Sequence, residues 1–177
     1  VEPVLDLDIH LYEEENLEVI SDVYGVDKEI EALTTKMPVK SLLLAGSGKC
    51  KIADHVRIQN PEMPMYQLIH SEGEIQIDEQ TIVENGIAVT GTLVVTTLYL
   101  CAGNVRSIYS TVNELPFQYV IEAENILPTC VYKLRSSIEQ LTVTMLDSDE
   151  LDVKAALQFK VIVFAVQNRE LVTDIRE

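Results

Sequence analysis

The chain has 177 residues, 13 of them Lys or Arg and 29 Asp or Glu, for a formal net charge of −16 at pH 7. Hydrophobic residues make up 47% and charged residues 24%, the balance of one globular domain, or of one domain with an appended partial unit. The acidic excess argues against nucleic-acid and anionic-membrane partners, because both need a basic face. No apolar stretch reaches the ~18 residues of a membrane-spanning helix. No signal peptide opens the chain. It begins on Val1, so it reads as a piece of something longer, with any targeting signal outside it.

Strand patterns dominate in chain order. Leu5, Leu7, Ile9 and Leu11 alternate with Asp6, Asp8, His10 and Tyr12, a period of two that puts the apolar set on one sheet face. Glu13-Glu14-Glu15 reads as a hairpin tip. Asp27 to Leu33 is the one helix candidate, with Asp27 as a cap. It spans barely two turns, and Pro38 closes it. Pro61 to Pro64 marks a loop.

From Gly73 to Asp78 the alternation returns, and Asn85-Gly86 then sits between two apolar runs, the pattern of a type I′ hairpin. Ile87 to Leu100 carries apolar residues or threonine on both parities, which predicts a long central strand covered on both faces. Gly91 in its middle implies a bulge or a close backbone approach. Phe117–Ile121, Leu141–Met145 and Leu151–Val166 are further strands. The last alternates Val153, Ala155, Leu157, Phe159, Val161 and Val163 against a parity that is polar at Lys154, Gln158 and Lys160. Glu124 to Arg135, holding Pro128 and Cys130, reads as an irregular crossover. The expected fold is all-β: an antiparallel β-sandwich-like module with at most one short helix.

An internal echo bears on domain organisation. Val1–Val23 lies on Val153–Ile175 without a gap, with identities at Val1/Val153, Leu5/Leu157, Asn16/Asn168, Glu18/Glu170 and Asp22/Asp174. Generic strand patterning is one reading. A tandem array cut mid-way is the other. On the second, residues 1–37 are the closing strands of a preceding module, or an N-terminal extension, and residues 38–177 are one complete module.

The motifs that could carry chemistry fail on spacing. Ala45-Gly46-Ser47-Gly48-Lys49-Cys50 invites a phosphate-loop reading, but Leu43 stands where the first glycine should be and Cys50 where the Ser or Thr should be. It reads instead as a glycine-kinked strand. Asp147 to Asp152 offers four acids, yet Asp152 and Gln158 occupy the glycine and glutamate positions of an EF-hand loop, leaving a solvated acidic turn. Cys50, Cys101 and Cys130 are odd in number and lack CxxC spacing, as free thiols of a reducing compartment do. His10, His55 and His70 have no helical metal spacing. There is no GxSxG elbow, and with no Trp the ring-stacking surface of a sugar groove is scarce. Glu114-Leu115-Pro116-Phe117 should enter a strand at a sheet edge, with Phe117 in the core. No catalytic, cofactor-binding or metal residue is singled out, no cofactor is expected, and no partner-binding residue can be chosen from the sequence.

Gly73-Glu-Ile-Gln-Ile, Asn85-Gly86-Ile87 with Gly91-Thr92-Leu93-Val94-Val95, Glu114-Leu115-Pro116-Phe117 and Leu151-Asp152-Val153-Lys154-Ala155 follow one another in an order that resembles the SPOCS module. That module belongs to SipL-type spore-envelope assembly proteins of clostridia and related spore formers. The resemblance spans about Pro38 to Glu177. It implies a non-enzymatic structural or protein-interaction module of spore envelope (coat and cortex) assembly, in the mother-cell cytoplasm at the forespore surface. Its partners would be other spore-envelope morphogenetic proteins, with homotypic module contacts and without nucleic acid or membrane insertion. SipL-type proteins end in a LysM domain, which has no counterpart in this sequence. The alternative is a ligand-binding β-sandwich, for a cell-wall sugar or calcium.

Overall fold

Six strands account for almost all the regular structure. The computed structural model describes residues 9, 11, 13, 18–20, 31–59, 62–102 and 107–176. In order these are β1 (Glu31–Arg57), β2 (Met65–Val83), β3 (Gly86–Cys101), β4 (Ile108–Glu122), β5 (Val131–Met145) and β6 (Glu150–Arg176). They form two three-stranded antiparallel sheets, ordered β1-β6-β5 and β2-β3-β4. The all-β reading therefore holds, and the described residues contain no helix.

The chain divides into two compact units, Lys40–Val166 and Val1–Val39 with Gln167–Glu177. In the smaller unit Thr173 Oγ1 donates to the Leu33 carbonyl at 3.1 Å, Lys36 pairs with Glu170 at 3.2 Å, and Val172 N–H donates to the Ile20 carbonyl at 3.2 Å.

The larger unit owes its core to the period-two patterns. Leu151, Val153, Leu157, Phe159, Val161 and Val163 of β6 are all buried, as are Ile87, Val89, Leu93, Val95 and Tyr99 of β3 and Leu115, Phe117 and Ile121 of β4. Phe159 bridges the sheets, its ring centroid 5.8 Å from Phe117 and 5.7 Å from Tyr119. Truncating such a buried aromatic costs about 3–5 kcal/mol. The two flanks are laced by polar contacts. Along one, Lys49 N–H donates to Tyr119 Oη at 3.2 Å and Asn113 Nδ2 to the Arg57 carbonyl at 2.9 Å. Along the other, Tyr132 Oη donates to the Gln80 carbonyl at 3.2 Å and Met65 N–H to the Ser148 carbonyl at 2.6 Å. Buried Thr97 is satisfied across its hairpin by Ser71, 3.2 Å away.

Several local expectations need correction. Glu31–Leu33, the end of the helix candidate, is strand, while Asp27–Ile30 lie outside the described residues. Pro38 does not close an element but sits inside β1, an edge strand that tolerates its missing N–H. Ile9 and Leu11 are in no strand and are 81% and 92% exposed; the rest of Leu5–Leu11, and Glu14-Glu15, lie outside the described residues. β4 runs unbroken through Pro116, so Glu114–Phe117 is mid-strand rather than a strand entrance. β5 begins at Val131, which shortens the crossover to residues 123–130. The outward parity of β3 is half-buried rather than covered.

The Asn85-Gly86 hairpin exists, but not as a type I′ turn. Val83 pairs with Gly86, so Glu84 and Asn85 are the loop residues. Among the described non-glycine residues only Asn125 has positive φ. Gly86 is needed for a different reason: a Cβ there would lie 2.0 Å from the Ile121 carbonyl oxygen. Gly91 serves a close approach too, since a Cβ would meet the Gln76 carbonyl at 2.3 Å, beside the register shift at Ile77/Glu79. Gly91→Ala should therefore destabilise the fold by about 1–3 kcal/mol. Gly46→Ala, whose new Cβ would meet only ordinary contacts from 3.7 Å outward, should cost clearly less. Urea unfolding of the two variants checks this, and equal midpoints would contradict the register.

Candidate interaction surface

Once one parity of each strand enters the core, the other parity must form an outer face, and charge is distributed very unevenly between the two outer faces. On β1-β6-β5 the outward positions hold Lys49, Lys51 and Arg57 of β1, Lys154 and Lys160 of β6, and Lys133 and Arg135 of β5. That is more than half of the chain's 13 basic residues. Arg135 lies directly opposite Lys160 in the β5–β6 register. Among the described residues of the larger unit, two carboxylates pair with lysines of this face. Glu139 takes Lys49 Nζ at 2.6 Å, and it stands at the register shift between Ile138 and Gln140. Asp152 takes Lys154 Nζ at 2.5 Å and has His55 Nε2 at 3.6 Å. Such exposed pairs contribute about 0–1 kcal/mol each, so they orient side chains more than they hold the sheet. Ala53 and Ala156 floor a shallow depression rimmed by Lys51, Lys154, Gln140 and Thr142.

The outer face of β2-β3-β4 has the opposite sign. Its exposed carboxylates are Glu72, Glu74 and Glu79 of β2 with Glu114 and Glu122 of β4. Neither Lys nor Arg occurs anywhere in these three strands. The register sets Glu74 and Glu114 on either side of Val94, and Glu72 in line with Thr96 and Val112. Between the acids runs a neutral strip of Thr90, Thr92, Val94 and Thr96. The basic face was hidden in the net charge of −16 because its residues come from three separated segments that only the register assembles. The polar parity of Leu151–Val166 was its visible trace.

The motifs resolve as structural parts. Ala45–Cys50 lies within β1 with no helix following, and Gly48 clears the Tyr119 ring, which a Cβ would meet at 2.7 Å. Asp147–Asp149 lie in the β5–β6 connection, while Glu150–Asp152 open β6 rather than a solvated turn: Asp147 Oδ1 accepts from Ser148 N–H at 2.6 Å, and the Asp149 carbonyl from Ile58 N–H at 3.0 Å. Among the described residues no three His, Cys, Asp or Glu side chains converge as a metal site. Cys50 and Cys101 are buried free thiols and Cys130 is half-buried. Pro116 faces outward on edge strand β4, and Phe117 points into the core.

Burial raises the Cys50 thiol and the Tyr132 phenol above their ordinary values. Tyr99 is raised by burial first and then by Cys101 and Tyr109 beside it. Each group is favoured neutral in the fold, so its folded value exceeds its unfolded one. Its contribution is fully present below the unfolded value and is lost as pH rises. Thermal unfolding followed against pH should thus show the midpoint falling above the ordinary thiol value of 9.0, with part of that fall removed in Cys50→Ala. A midpoint that rises above that pH would contradict the burial.

Residues 64–146 match the family model of the SipL, SPOCS domain. No curated protein and no solved structure matches the chain. The matched stretch takes in β2, β3, β4, β5 and the whole acidic outer face, and the match supports its recognition as a SPOCS module.

Proposed function

We propose that this chain, a carrier of the sporulation-related SPOCS module, is a non-enzymatic protein-interaction module of spore-envelope assembly, working in the mother-cell cytoplasm at the forespore surface. The observation that supports this most is the pair of three-stranded sheets with outer faces of opposite charge. Faces of that kind suit contact with other proteins, where complementary potentials fix orientation and exclude wrong partners. Four of the six strands are edges as well, and an edge offers unpaired N–H and C=O groups to a further strand. Its partners in this reading are other spore-envelope morphogenetic proteins, with contacts between modules. Residues 38–177 are the module, and residues 1–37 belong to a preceding copy or an extension. Among the described residues no helix is long and apolar enough to cross a membrane.

A fluorescent fusion of the chain followed through sporulation tests the reading. The expected result is enrichment at the forespore surface that weakens when Lys51 and Lys160 are both changed to Glu. Signal spread evenly through both compartments would overturn it. A thermal shift above ~3 °C with calcium or a muropeptide alone would favour a ligand-binding sandwich instead, since a ligand bound to the native state raises its stability.

A further inference from the structure

The two outer faces are complementary to each other, and both belong to one chain. We infer that the partner of the basic β1-β6-β5 face is the acidic β2-β3-β4 face of a second copy. This deepens the assembly reading by naming a partner, and it rests on that reading only for its biological setting. Both faces are three strands wide, and neighbouring strands lie about 4.8 Å apart, so each offers a strip of the same width. Sheets of this kind stack face to face about 10 Å apart. The basic face has a floor of Ala53 and Ala156 between Lys51 and Lys154. On the acidic face Val94 and Thr96 line a hollow with Glu72, Gly73 and Glu74, and Glu114 stands across Val94 from Glu74.

A second copy fits better than an unrelated acidic protein because the chain supplies its own complement at the same width. Indiscriminate association is opposed by the net charge of −16, so only the arrangement that sets basic strip on acidic strip gains more than it loses. The contact is heterologous: one face of the first copy meets a different face of the second. It leaves a basic face free at one end and an acidic face at the other, so it does not close into a dimer. It propagates as an open stack.

Sedimentation of the full chain over a range of concentrations decides the matter without sporulating cells, so its failure is separable from that of the localisation test. In low salt the protein should associate in a concentration-dependent way. At roughly 0.5 M salt, where the Debye length is only a few Å, association should weaken. Lys51→Glu with Lys160→Glu should weaken it about tenfold or more, and so should Glu72→Lys with Glu74→Lys. Mixing the two variants should restore it, because each then presents a face opposite in sign to its counterpart on the other. Circular dichroism of each variant, expected to match the parent, separates lost contact from lost fold. A protein that stays monomeric throughout, variants that associate as the parent does, a mixture that fails to recover, or association that strengthens with salt would each overturn the inference.

Discussion

Every strand of the larger unit must give one parity of its residues to the dry space between the sheets, and that commitment governs the rest. On β6 the parity is Leu151, Val153, Ala155, Leu157, Phe159, Val161 and Val163, all buried. Phe159 then settles between Phe117 and Tyr119 of the facing sheet. A one-residue slip would carry Lys154 and Lys160 into the core, where an unpaired ammonium costs several kcal/mol. The same alternation that builds the interior therefore enforces the exterior. Lys154 and Lys160 face water together because Phe159 and Val161 cannot.

Legibility in the sequence followed the strength of this alternation. β3 could be read almost to its ends, and β6 from its start as far as Val166 but not on to Arg176, since the long β-branched alternation stops there. The hairpin between β2 and β3 could be placed but not typed. Asn-Gly suggested a turn needing positive φ, whereas the register moves Gly86 into the strand, where the Ile121 carbonyl leaves no room for a Cβ. β1 was the hardest. Glu31–Leu33 carries good helix formers, yet pairing with the neighbouring strand outweighs a propensity of a few tenths of a kcal/mol per residue. Pro38, a helix terminator by itself, is harmless on a sheet edge.

The candidate surface was legible only in pieces. Counting Lys and Arg gives a total, and a total of −16 conceals how charge is sorted. That Met65–Cys101 holds neither Lys nor Arg was countable. That Lys51, Arg135 and Lys160 share one face was not, because it follows from the strand order β1-β6-β5, a non-local fact. The family match behaves similarly. Residues 64–146 contain one complete sheet but only β5 of the other, so Phe159 and the central strand of the basic sheet lie beyond it. The interior of this module is shared between the matched segment and strands outside it.

Net charge and face charge then act at different ranges. Two copies approaching at random meet an averaged repulsion that reaches about one Debye length, near 8 Å at physiological salt. Inside that distance the averages no longer apply, and what matters is which face meets which. Acidic face on acidic face is penalised strongly, and basic on basic as well. Only the unlike pairing is attractive. An acidic protein that keeps its basic residues on one sheet can therefore remain dispersed and still be selective, because the long-range term rejects most encounters and the short-range term chooses among the remainder. Spreading the same Lys and Arg evenly over both sheets would leave the composition unchanged and abolish that choice, which makes the strand register, rather than the residue count, the carrier of specificity.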